Sequence, residues 1–151
     1  MFDAFKEQEP GHAAEAGQRW GNTPEYAESA RRTKRYSKAD WVRLLNEASE
    51  VVQELAMLAA TGHAATDPEC LRVAEKHRLH IDKYFYPCPH PLHVNLGEMY
   101  VADERFAANY EKVRPGLAQF LRDAIVANAA NPYVFETESP AVKQVQKLRR
   151  R

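Results

Sequence analysis

The sequence predicts an all-α domain, and three observations carry that expectation. From Trp41 to Leu58 the residues Trp41, Leu44, Leu45, Ala48, Val51, Val52, Leu55 and Leu58 recur every three or four positions, which is the period of one helix face. Helix start signals then follow one another along the chain, whereas the strict alternation of a strand is almost absent. A length of 151 residues suits one domain with a substantial core and is short for two.

The elements can be justified in order. Thr23-Pro24-Glu25 supplies a capping hydroxyl, a proline for the first helical position and an acid for the first turn, predicting a helix to about Arg35. Ser37 with Asp40 three residues on is a weak capping box. It opens the Ala39–Ala60 helix, expected to be the longest, with Trp41 packed at its base and Gly62 as its stop. Asp67-Pro68-Glu69 starts a third helix with Leu71, Ala74, His77, Ile81 and Tyr84 or Phe85 facing inward. The run Tyr86-Pro87-Cys88-Pro89-His90-Pro91 interrupts it, because each proline lacks an N–H and restricts the residue before it. A short helix carrying Leu92, Leu96, Met99 and Tyr100 follows, and Asp103 caps another with Phe106, Tyr110 and Val113. Pro115 is expected to open a further helix through about Asn128, with Leu117, Phe120, Leu121, Ala124 and Ile125 inward. Ser139-Pro140 is placed to begin a last amphipathic helix with Val142, Val145 and Leu148 on one side.

Charge narrows the function classes. Lys plus Arg and Asp plus Glu both total 21, and a neutral balance argues against a chain built to hold nucleic acid. The basic tip of Lys147, Arg149, Arg150 and Arg151 reads as a solvated end. The acidic start Met-Phe-Asp-Ala-Phe-Lys-Glu does not resemble a signal peptide, and no apolar run approaches the roughly 20 residues that span a bilayer. The expectation is a cytoplasmic chain that contacts no membrane, with Cys70 and Cys88 both reduced. The stretch holding Gly11, Gly17 and Gly21 is poor in apolar residues until Trp20. It buries too little to offset its ordering entropy, so the segment before about Tyr36 is expected to order when ligand binds.

Residues able to carry chemistry concentrate between His77 and His93. His77, His80, Cys88, His90 and His93 are types that zinc accepts, but their spacing matches no strong zinc motif. Cys88 with His90 or His93 could form a nucleophile–base pair, yet no orienting group or oxyanion hole can be identified. Cys70, near a helix start, reads as a buried thiol, and Asp103, across Met99-Tyr100 from Glu98, reads as an N-cap. The aromatic set is more informative: Trp20, Tyr26, Tyr36, Trp41, Tyr84, Phe85, Tyr86, Tyr100, Phe106 and Tyr110 exceed what a plain bundle requires. Amphipathic rings between helices are common walls of a small-molecule pocket. The simpler reading is that most of these rings are core, and it suits Trp41 and Phe106 best.

Several separated motifs carry a family resemblance. Arg19-Trp20-Gly21-Asn22-Thr23, then Tyr26, Ser29 and Tyr36-Ser37-Lys38 to Trp41, are similar to the opening of the TipAS antibiotic-recognition domain, the effector part of some MerR-type regulators. Leu96-Gly97-Glu98-Met99-Tyr100-Val101 with Asp103-Glu104-Arg105-Phe106 resembles its most distinctive segment. Pro115-Gly116-Leu117, Arg122-Asp123-Ala124-Ile125 and Ala127-Asn128-Ala129 are similar to its closing helix. The resemblance runs from about Arg19 to Asn131. It divides the chain into a flexible lead (1–18), a drug-binding domain (19–131) and an extension (132–151) forming a short basic amphipathic helix.

The resemblance implies a compact, globin-like helical arrangement without haem, enclosing a cleft for large apolar antibiotics such as thiopeptides or albicidin-like compounds. In the family's thiopeptide-binding member a cysteine directly before the Leu-Gly-Glu-Met-Tyr segment adds to a dehydroalanine of the drug. Here that position is Asn95, while Cys88 and His93 match a second cysteine and a histidine of the family. The cleft is accordingly expected to be walled by Tyr84, Tyr86, Leu92, Met99, Tyr100 and Phe106. Cys88, His93, Asn95 and Leu96 lie beside it, and Trp20 and Tyr26 close over it. The expected function is reversible, non-covalent sequestration or sensing of a bulky apolar antibiotic, without turnover, cofactor, metal or direct nucleic-acid contact. One alternative is the ligand-sensing half of a MerR-type activator whose winged helix lies outside this chain. A second is a Cys/His enzyme or metalloprotein.

Overall fold

The computed structural model describes residues 23–135, and among them there are six helices and no strand. Helix α1 spans Pro24–Thr33, α2 Lys38–Ala60, α3 Pro68–Tyr84, α4 His90–Ala102, α5 Glu104–Glu111 and α6 Leu117–Ala130. Trp20, the glycine-containing lead and the helix expected after Ser139-Pro140 lie outside the described residues.

Local chemistry accounts for most boundaries. The Thr23 hydroxyl accepts from the Tyr26 N–H at 3.2 Å, with Pro24 at the first helical position. Helix α1 ends at Thr33, two residues short of Arg35, where the chain tightens into i→i+3 bonds. The capping box at α2 is complete, with Asp40 N–H donating to Ser37 Oγ at 3.1 Å and Ser37 N–H to Asp40 Oδ2 at 3.0 Å. At 23 residues α2 is the longest of the six helices. It stops in a Schellman motif: Gly62 has φ +89°, its N–H donates to Ala59 O, and the His63 N–H donates to Leu58 O.

Two further boundaries differ from expectation. Helix α4 starts at His90 and takes Pro91 into its first turn, where a missing N–H leaves no bond unmade. Pro87 and Pro89 alone break the chain. Helix α6 starts after Gly116 and not at Pro115, because Gly116 sits in the left-handed region at φ +86°. The Glu111 carboxylate then accepts from the N–H groups of Gly116 (3.1 Å) and Ala118 (3.2 Å), an acid placed at the positive end of α6.

The main core joins Val52, Leu55 and Leu58 of α2 with Cys70, Val73 and Ala74 of α3, Tyr100 of α4 and Leu117, Leu121, Ala124 and Ile125 of α6. A smaller cluster of Leu44, Leu45 and Tyr84 packs with Tyr36, Trp41 and Phe85 at the start of α2, so Trp41 lies at its base as expected. The Trp41 ring meets Tyr36 edge-on at 5.8 Å. Gly97 lets α4 approach α6 closely, since a Cβ there would lie 3.3 Å from Ile125 Cδ1 and 3.6 Å from Arg122 Cα.

A buried polar network holds the frame behind the core. Glu75, only 5% exposed, accepts from Arg78 through both oxygens (2.8 and 2.5 Å) and from Asn128 Nδ2 at 3.0 Å. Arg78 also donates to Cys88 O at 2.8 Å, and Asn128 Oδ1 accepts from the Tyr133 N–H at 2.8 Å. Burial raises the Glu75 pKa, but the hydrogen bonds from Arg78 and Asn128 more than offset it and hold the carboxyl below its usual range. No helix among the described residues is long and apolar enough to cross a membrane.

Candidate functional site

Between the two core clusters the helices do not close, and a cavity of about 270 Å³ opens to the surface. Leu44, Leu45, Ala48 and Val52 of α2 form one wall, and His77, His80 and Ile81 of α3 form the next. Phe85 and Tyr86 enter from the α3–α4 loop, Leu96, Met99 and Tyr100 from α4, and Phe106, Asn109 and Tyr110 from α5. The walls follow from sequence spacing. Leu96, Met99 and Tyr100 share one face of α4 at three-to-four spacing, and Phe106, Asn109 and Tyr110 share one face of α5.

The rings form a connected set. Tyr100 packs against Phe106 at 6.2 Å and Tyr110 at 5.3 Å, and its plane meets His77 at 87°. Burial raises the pKa of Tyr86, Tyr100 and Tyr110, so all three hydroxyls keep their protons at neutral pH. After burial and Cys88, the Glu25 carboxylate of α1 also raises Tyr86.

Of the residues expected at the site, Tyr86, Leu96, Met99, Tyr100 and Phe106 are brought together on these walls. The others lie elsewhere. Tyr84 is buried in the smaller cluster, where it accepts the Tyr36 hydroxyl on its backbone oxygen and stacks edge-on with the Tyr36 ring. Leu92 is half-buried on α4, Asn95 is exposed, and Tyr26 is half-buried on α1, none of them forming a wall. Trp20 lies outside the described residues.

Cys88 and His93 are wholly buried behind the wall. Cys88 is pinned by its backbone: its N–H donates to Asp82 Oδ1 at 2.9 Å and its carbonyl accepts from Arg78. Burial pushes its thiol pKa up to about 12, and that of Cys70 up to about 11. A protonated His93 able to activate Cys88 is not what the structure holds. Burial first, then His77, Arg78 and His90, push the His93 pKa down to about 2.

The histidines expected as metal candidates are dispersed or paired. His77 Nδ1 and His93 Nε2 lie 2.8 Å apart, and burial pushes the His77 pKa down to about 3. His80 Nε2 donates to Leu44 O at 2.9 Å. Among the described residues no three His, Cys, Asp or Glu side chains converge as a metal site requires.

The sequence reading missed the α2 wall, which has the same apolar period as core. It also missed His80 and Asn109, and it placed His77 on the inner face of its helix without assigning it to the site. Tertiary packing alone distinguishes a wall residue from a core residue on one helix stripe.

Fold and cleft together define a class: helical domains with an apolar, aromatic-walled pocket between helices, where small ligands are commonly bound. The chain belongs to the family of the TipAS antibiotic-recognition domain, whose family model matches residues 12–128. The HTH-type transcriptional activator TipA of Streptomyces coelicolor is 41% identical over 129 residues, covering 85% of this chain and 51% of that protein. The HTH-type transcriptional activator mta of Bacillus subtilis is 35% identical over 99 residues, covering 66% of this chain and 38% of that protein. The chain thus spans about half the length of TipA and less of mta. Among solved structures, TipAS of Streptomyces lividans in complex with nosiheptide, from a thiopeptide antibiotic multidrug resistance system, matches with a TM-score of 0.73. It is 41% identical, with 85% of each chain covered.

Proposed function

We propose that this domain binds bulky apolar antibiotics of the thiopeptide kind, reversibly and without turnover, in the cleft between α2, α3, α4 and α5. The observation that carries the reading is the continuous aromatic and aliphatic wall around a cavity of about 270 Å³ in a chain of this family. That volume sits at the small end of the roughly 300–1,000 Å³ usual for ligand sites. The cavity therefore takes a ring or two, and the bulk of a large ligand lies across the open side. Helix α1 buries no side chain and is tied to the end of α3 by Arg32, which donates to Asp82 O at 2.7 Å, an arrangement that suits a role for α1 in covering that side.

Binding without covalent capture follows from two positions. Asn95 is no nucleophile, Cys88 is wholly buried, and its thiol is protonated at neutral pH. The same facts favour a binder over an enzyme. Proposed with it are a cytoplasmic location and no direct contact with nucleic acid or membrane.

Nosiheptide is the probe. At 100 times its dissociation constant it adds about 2.7 kcal/mol of stability, seen as a raised Tm, and intact-mass spectrometry shows no adduct. No shift with nosiheptide or other thiopeptides would refute the reading. A stoichiometric adduct lost in Cys88→Ser would refute reversibility. The coverage of only half of TipA favours a second reading, in which the same binding event drives a DNA-binding part of a longer protein. Sequencing the reading frame upstream decides between sequestration and sensing.

A further inference from the structure

Resting on the reading of the cleft as a ligand site, we propose that His77 is its fixed hydrogen-bond donor. His93 orients it, and it selects ligands that carry an acceptor on the flat group entering the cavity. The acceptor is a ring nitrogen or a carbonyl oxygen.

The argument is one of proton accounting. His77 lines the cavity, and its Nδ1 faces His93 Nε2 at 2.8 Å with the ring planes 28° apart. Both rings are neutral, so a single proton lies between those two nitrogens. His93 is wholly buried and its Nδ1 has no partner. If His77 Nδ1 carried the shared proton, His93 would bear its own proton on Nδ1, a buried donor with nothing to receive it. Orphaned donors are the rarer and costlier case. Placing the shared proton on His93 Nε2 leaves only a bare lone pair buried, and it forces the His77 proton onto Nε2.

That nitrogen makes no hydrogen bond among the described residues, and the ring that carries it forms part of the cavity wall. Of the other polar wall groups, His80 spends its Nε2 proton on Leu44 O and so offers the cavity no N–H, tyrosine hydroxyls rotate, and the Asn109 amide has two faces. His77 is held from behind by a buried partner and from the side by the Tyr100 ring at 5.8 Å. A donor pre-set in this way loses little freedom when an acceptor arrives.

Pyridine and benzene, of one shape and differing in a ring nitrogen, provide the test at pH 7.5. Long-range ¹H–¹⁵N spectra of the free domain are expected to show both His77 and His93 protonated on Nε2. Pyridine, and not benzene, is expected to shift the His77 Nε2 resonance. The preference for pyridine over benzene should fall about fivefold in His77→Phe and return in His77→Gln, whose amide reaches the same position. A proton found on His93 Nδ1, an unchanged preference in His77→Phe, or no pyridine effect at His77 each overturns the proposal. If His77→Phe does not fold, the wild-type spectra decide alone. Failure of nosiheptide to bind while the pyridine preference persists would refute the antibiotic reading and leave the donor standing.

Discussion

At the scale of single residues, the pairing of half-buried His77 with buried His93 has a consequence for stability. Folding holds His77 and His93 neutral, with pKa values pushed by burial down to about 3 and about 2 from an ordinary 6.5. Below pH 6.5 the unfolded chain takes up protons that the folded one refuses. Stability is therefore full above pH 6.5 and is lost as pH falls from there toward about 2, the His77 share being complete near 3. The two rings together contribute a slope of up to about 2.7 kcal/mol per pH unit. His80, also lowered by burial, acts in the same direction. Urea unfolding at pH 7.5, 6.0 and 5.0 measures this. Equal stability at pH 7.5 and 5.0 would show that the pair is open to water.

Among the elements, the close approach of α4 to α6 is the most exacting contact. Gly97 faces Ile125, which is fully buried, and the Arg122 backbone. A branched side chain has no room there, and overpacking costs about 1–3 kcal/mol. Gly97→Val is expected to lower stability by that amount. It should also weaken ligand binding, because Leu96, Met99 and Tyr100 ride on the same helix. Denaturant midpoints and a nosiheptide titration of the variant check both parts. A fully stable Gly97→Val domain would mean that α4 and α6 pack more loosely than described. Gly62 illustrates a different use of glycine, since its φ of +89° is needed to end α2 and nothing crowds its Cβ position.

Across the whole molecule, the Glu75 network joins α3, the loop at Cys88, the end of α6 and Tyr133. It lies behind the cavity wall and sets where the α3–α4 loop leaves the bundle. Removing one partner of a buried ion pair strands the other, at a cost of about 3 kcal/mol or more. Glu75→Ala is therefore expected to unfold at markedly lower denaturant, with Cys88 becoming reactive to iodoacetamide under native conditions. In the parent domain both thiols should label only on unfolding, being fully buried with raised pKa values. Fast labelling of Cys88 in the parent would contradict the anchored loop.

The sequence by itself determined the all-α class, the caps at Thr23, Ser37 and Asp103, the Gly62 stop and the long α2 stripe. Each is decided within a few residues by hydrogen bonding or helix period, so local text suffices. Family motifs also pointed to the face of Leu96, Met99 and Tyr100. Tertiary structure alone decided which apolar residues are core and which are wall, because Val52 and Leu55 read alike on one stripe and only Val52 borders the cavity. It alone placed Cys88 and His93 behind the wall, through long-range anchors from Arg78 and His77. The start of α6 is a different case, decided close by in the chain, by the left-handed Gly116 and by the Glu111 carboxylate that accepts from the Gly116 and Ala118 N–H groups. Contacts between elements distant in the chain carry no period and no spacing. A single sequence therefore specifies them without displaying them.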